Sequence, residues 1–146
     1  MPQPKPQTTI ENNISKQNND DDFNENVAVE LGAPLIIPLK EEIILEENTD
    51  YTIRCEDSDE VVWKYPRDIT AEENTYKPED EKRHYGLSLT LKEVSYLNVA
   101  SYYCVKSSAL KKDIDLMEDS ELNDLANNNL ASSIYIFVNG KLLLLI

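Results

Sequence analysis

Few side chains in this sequence could do chemistry. They are two cysteines, Cys55 and Cys104, a single histidine, His84, the acidic run Glu56-Asp57-Ser58-Asp59-Glu60, and one Asn-x-Ser sequon that makes Asn13 a candidate glycosylation site. A structural zinc site needs a closed set of nitrogen and sulfur ligands. One histidine beside two cysteines falls short of it, and shorter still if the cysteines bond to each other, so His84 reads as an exposed loop residue. The acidic run invites calcium, yet it lacks the central Gly and the distal bidentate Glu of a calcium-binding loop. It reads as a solvated loop between two strands. Serine chemistry has no footing, because no Gly-x-Ser-x-Gly elbow occurs and only one imidazole base exists. No catalytic residue, metal ligand or cofactor site is assigned, and the chain is read as a non-enzyme. The cysteines are left with two readings: a disulfide made in an oxidising compartment, or two buried thiols in a reducing one.

The elements that would hold these residues are short and apolar. "YTIRC" alternates, putting Tyr51, Ile53 and Cys55 on one face and Thr52 and Arg54 on the other. "EVVWKY" groups Val61, Trp63 and Tyr65, and "GLSLTL" groups Leu87, Leu89 and Leu91. "EIILE", "SYYCVK" and "SSIYIFV" add further strands, and "APLIIPL" carries two prolines that suit an edge strand. Several period-two segments without a long helical period predict an antiparallel β-sandwich. Two stretches break the rhythm. Arg67 to Tyr85 is polar and could hold one short strand. Lys106 to Asn129 is a 24-residue excursion with three lysines and six acidic residues, where Ile114, Met117, Leu122 and Leu125 suggest a short amphipathic helix.

The chain has 146 residues, 14 of them basic and 28 acidic, for a net charge of −14. Such a balance disfavours nucleic acid, which needs cations against its phosphates, and anionic lipid surfaces. It would steer basic partners, within a screening length of about 8 Å. No stretch approaches the roughly 20 apolar residues of a membrane span, so no direct membrane insertion is expected. The start, "MPQPKPQTT", lacks the apolar centre of a secretory signal. Residues 1–26 read as a disordered acidic arm, too poor in apolar groups to offset the entropy of ordering. The expected organisation is this arm, a domain over 27–140, and a short apolar tail or junction over 141–146.

Trp63, the sole tryptophan, lies eight residues after Cys55, and Tyr102 lies two before Cys104. With Leu89, Leu91, Val94, Asn98 and Ala100 this spacing resembles the immunoglobulin pattern L-x-L-x-x-V-x-x-x-D-x-G-x-Y-x-C, with Asn98 in place of Asp and Ala100 in place of Gly. The resemblance implies an all-β, immunoglobulin-like two-sheet antiparallel sandwich with one inter-sheet disulfide, Cys55–Cys104. It implies that Trp63 packs on that disulfide, that Leu89 and Leu91 fill the core, and that the Tyr102 hydroxyl bonds back to the preceding corner. Such a crosslink would stabilise by about 4 kcal/mol, a large part of the ~5–15 kcal/mol that holds a typical domain together. The few residues between Trp63 and Leu89 fit a sandwich without the extra strands of variable domains.

A narrower likeness rests on "VVWKYP" and "SSIYIFVNG". With Tyr65-Pro66 after the tryptophan and Ile134–Val138 running into Asn139-Gly140, these resemble the first, membrane-distal immunoglobulin domain of the platelet-derived and vascular endothelial growth factor receptors. The likeness covers roughly Gly32 to Gly140. It implies an extracellular or cell-surface module whose partners are a protein ligand or a neighbouring immunoglobulin domain. In that family the second and third domains carry most growth-factor contact, and the first acts as spacer or modulator. A kinase, if the parent has one, lies outside this chain. Tyr135 and Phe137 alternate with Ile134, Ile136 and Val138, so one set faces away from the core. If the aromatics do, they are a candidate interdomain contact, or they cover the sheet edge. Two other functions fit the sequence: an adhesion domain using a sheet face, and a secreted decoy or carrier binding a basic ligand through the acidic segment 113–124.

Overall fold

A computed structural model describes residues 32–140. The arm at 1–26, its sequon at Asn13 and the tail at 141–146 lie outside the described residues. Among the described residues eight strands form: β1 (Leu35–Ile37), β2 (Glu42–Glu46), β3 (Tyr51–Asp57), β4 (Val61–Lys64), β5 (Ala71–Tyr76), β6 (Tyr85–Leu91), β7 (Ala100–Lys106) and β8 (Ala131–Asn139). One sheet has the order β1-β3-β6-β5 and the other β2-β8-β7-β4.

Proline chemistry explains how the first strands are divided. Pro38 has no N–H to give a ladder, so β1 ends before it, and β1 sits at the edge of its sheet. The Ile37–Pro38 peptide is cis, and after it the chain crosses to the second sheet. There β2 pairs with β8 in parallel, Glu42 beside Tyr135 and Ile44 beside Phe137. All other pairings are antiparallel, so the sandwich is mixed at this one seam. The polar stretch after Trp63 supplies only β5, which pairs with β6.

The core follows the alternation. Ile53 and Cys55 of β3 and Leu89 and Leu91 of β6 meet Trp63 of β4, Tyr102 and Cys104 of β7, and the β8 trio Ile134, Ile136 and Val138. A second apolar cluster lies outside the sandwich. Tyr103, Val105 and Ala131, on the outward face of β7 and β8, pack with Met117 and Leu122. The excursion after β7 thus folds back as a cover, carrying the helix α1 (Asp119–Asn127). Leu122 is fully buried there, with Leu125 and Ala126 packed beside it. The Glu118 N–H donates to Glu121 Oε1 at 2.9 Å, closing the first turn. At the other end Asn128 Nδ2 donates to the Asp124 carbonyl, and Asn129 takes a left-handed φ of 62°, which Asn tolerates better than most residues.

Candidate interaction surface

The centre of the sandwich is a tie between sheets. Cys55 and Cys104 are disulfide-bonded with their Cα atoms 6.5 Å apart. Trp63 is the direct cross-strand partner of Cys104, and Leu87 is that of Cys55. The indole is therefore set beside the crosslink, and its Nε1–H donates across the sandwich to the Leu87 carbonyl at 3.1 Å. The Tyr102 hydroxyl donates to the Asn98 carbonyl at 2.7 Å, closing a tyrosine corner. Burial pushes the Tyr102 phenol up to about 12. Asn98 holds the turn through its Oδ1, which accepts the Ser95 N–H at 2.9 Å. Its Nδ2 is buried with no hydrogen-bond partner among the described residues. The fold is immunoglobulin-like. Nothing at its centre is a nucleophile or a base; these groups are bound to one another and hold the two sheets in register.

The acidic run is not a solvated loop throughout, contrary to the sequence expectation. β3 runs on through Asp57, so the alternation that buries Ile53 and Cys55 buries Asp57 as well. Its carboxylate accepts Lys106 Nζ at 2.7 Å. These are the next inward positions beyond the two cysteines, so an ion pair repeats the disulfide's span one step along the same strands. Glu56 points to the opposite face of β3 and is also buried. It accepts the Tyr76 hydroxyl at 2.6 Å and Arg83 Nε at 3.0 Å. Gly86 lies between Glu56 and Tyr76 in the ladder, and the Tyr76 ring passes directly over it. Burial first, and then the bond to Glu56, raise the Tyr76 phenol well above its ordinary range. Ser58, Asp59 and Glu60 are exposed, as is His84. Among the described residues no group of three His, Cys, Asp or Glu side chains is arranged to hold a metal.

The acidic segment 113–124 is engaged with the sheet and is not an open loop. The Asp115 carboxylate pairs with Arg67, while the Asp115 carbonyl accepts Lys64 Nζ at 3.1 Å. The Tyr103 hydroxyl donates to Asn123 Oδ1 at 2.9 Å, and Lys112 pairs with Glu121 at 2.9 Å. The Glu118 N–H and Lys112 hold the Glu121 carboxyl below its usual range.

What remains open is the other half of the β2-β8-β7-β4 face. β8 turns Ile134, Ile136 and Val138 inward, so Tyr135 and Phe137 are the outward pair, 37% and 40% exposed. Ile44, their neighbour on β2, is 60% exposed and stands level with Phe137. Strand alternation in "EIILE" opposes Ile44 to Ile43 and Leu45, but only the parallel seam with β8 brings it beside the aromatics. Glu42 and Glu46 flank it on the same outward row. Three apolar side chains with an acidic border form a patch that the cover helix leaves bare on this face.

No family model matches the chain. Over 71 residues it is 30% identical to platelet-derived growth factor receptor alpha of Gallus gallus; the match takes in 49% of this chain and 6% of that receptor. Among solved structures it is similar to a chain in the complex of Dpr2 Ig1-Ig2 with DIP-Theta Ig1-Ig3, at 11% identity and a TM-score of 0.49, covering 75% of this chain and 50% of that one. It is also similar to titin domain M7, at 8% identity and a TM-score of 0.43, over 74% and 95% of the two chains.

Proposed function

We propose that this chain is an extracellular recognition and spacing module of a receptor-like protein of the platelet-derived and vascular endothelial growth factor receptor type. Residues 27–140 would form the module, with the acidic arm 1–26 ahead of it and 141–146 as the junction behind. The observation that carries the reading is the 30% identity over 71 residues to a platelet-derived growth factor receptor, in a chain folded as a disulfide-tied sandwich. The disulfide fits an oxidising, extracellular setting. The patch of Tyr135, Phe137 and Ile44 is the surface through which the module meets a protein ligand or a neighbouring domain. Exposed aromatic and aliphatic side chains grouped on one sheet face suit such a contact.

Sequencing the full-length transcript tests this. The reading expects a signal peptide upstream and further cysteine-paired sandwiches downstream. An open reading frame with neither refutes it. A second reading, adhesion between like copies, is favoured by the same bare sheet face. Sedimentation equilibrium separates the two, because a receptor module stays monomeric at micromolar concentration and a homophilic adhesion domain dimerises.

A further inference from the structure

β2 offers more than side chains. It is the outermost strand of its sheet, with no further strand beside it among the described residues. The Tyr135 N–H donates to the Glu41 carbonyl and the Glu47 N–H to the Asn139 carbonyl, so the odd-numbered positions of β2 face β8. In a parallel ladder the intervening residues direct their N–H and C=O the other way. Glu42, Ile44 and Glu46 therefore present backbone donors and acceptors on the open edge and their side chains on the outward face. At Ile44 an N–H and a C=O with no ladder partner among the described residues, an exposed aliphatic side chain and the neighbouring Phe137 ring coincide.

Resting on the reading of the chain as a recognition module, we infer that the β2 edge receives an extended segment of another protein as an added antiparallel strand. Its outward row reads basic, apolar, basic. The apolar side chain sits beside Ile44, which stands between it and Phe137 in one outward apolar row, and the two cations sit opposite Glu42 and Glu46. Main-chain bonds at a free edge give affinity to any extended chain, and alternate side chains give the selectivity. A second copy of this chain is the wrong occupant. Antiparallel pairing of two β2 edges about Ile44 would set Glu42 opposite Glu46 of the copy twice, like charge against like. The net charge of −14 opposes self-association further and draws a basic segment in.

The test uses the full chain and a labelled peptide, acetyl-Lys-Thr-Ile-Thr-Lys-amide. Saturable binding is expected, weakening as salt is raised. Hydrogen exchange should slow at the Ile44 amide, while the Ile43 and Leu45 amides, which face the β8 ladder, stay as they were. Glu42→Lys with Glu46→Lys should weaken binding about tenfold or more, and a peptide N-methylated at its Ile should lose affinity as well. Both glutamates are exposed, so the reversed variant is expected to fold; a circular dichroism spectrum and melting curve matching the parent confirm that. Equal binding of the N-methylated peptide would mean diffuse charge attraction and overturn the inference. So would no binding, binding that survives charge reversal, or Ile44 protection that appears with chain concentration alone. None of these results touches the transcript test, so the receptor-type reading stands or falls separately.

Discussion

Lys106→Met is the most informative single change. The side chains of Asp57 and Lys106 are 5% and 11% exposed, so water screens their contact little. Removing the lysine leaves a buried carboxylate whose donor among the described residues is the Asp59 N–H at 3.1 Å, in place of a full countercharge. Breaking a buried pair in this way costs about 3–5 kcal/mol, out of the ~5–15 kcal/mol that a domain of this kind has. Asp57→Leu should cost less, because Lys106 Nζ keeps Asp59 at 3.5 Å, and Asp59 is well exposed. Replacing both, as Asp57→Leu with Lys106→Met, removes the charges together and should fall within about 1 kcal/mol of the parent, since a well-packed apolar pair substitutes for a buried ion pair at little net cost. Urea unfolding followed by the fluorescence of Trp63, the only tryptophan, reads all four proteins. A slope of about 1–3 kcal/mol per molar urea turns the Lys106→Met loss into a midpoint drop of about 2 M. The reasoning fails if Lys106→Met costs under about 1 kcal/mol, as an exposed ion pair would, or if the double variant is as unstable as the two singles added.

Leu122→Ala should destabilise by about 2–4 kcal/mol, because the side chain is fully buried between α1 and the sheet; thermal melting checks it, and a change under about 0.5 kcal/mol would mean that the cover is not packed. Gly86→Ala should lower the melting temperature, since its Cβ would lie 2.8 Å from both the Tyr76 ring and the Tyr76 carbonyl oxygen and must push the ring off Glu56. The Tyr102 phenol rises from 10.0 unfolded to about 12 folded, so the native state holds that proton more tightly. Its contribution is whole below pH 10 and is lost as pH climbs through 12, which predicts alkaline unfolding across that window. Tyr102→Phe should cost about 1 kcal/mol at neutral pH, by losing the bond to the Asn98 carbonyl, and should flatten the alkaline slope. Reducing the Cys55–Cys104 bond should cost about 4 kcal/mol, read from the urea midpoint with and without reductant.

Much of the fold can be read from spacing alone, because each strand states its inward face locally. Period-two alternation assigns Ile53, Cys55, Trp63, Leu89, Leu91, Tyr102 and Cys104 to one interior, and the two prolines mark the edge strand β1. The polar composition of 67–85 limits that stretch to the single strand β5. The outward side of Tyr135 and Phe137 follows from the same alternation once the core face is known. Three things needed the folded chain. The acidic composition of Glu56 and Asp57 argues for water, and only the continuation of β3 beside Lys106, Tyr76 and Arg83 provides the partners that let both be buried. The excursion's apolar residues are too widely spaced to say what they cover, and the answer, Tyr103, Val105 and Ala131, lies on strands before and after it. Ile44 joins Phe137 through a parallel seam between residues about ninety positions apart in the chain. Alternation is a property of neighbours along the backbone and is written in the sequence; pairing partners, buried countercharges and shared patches depend on which distant segments meet, and only the tertiary structure decides that.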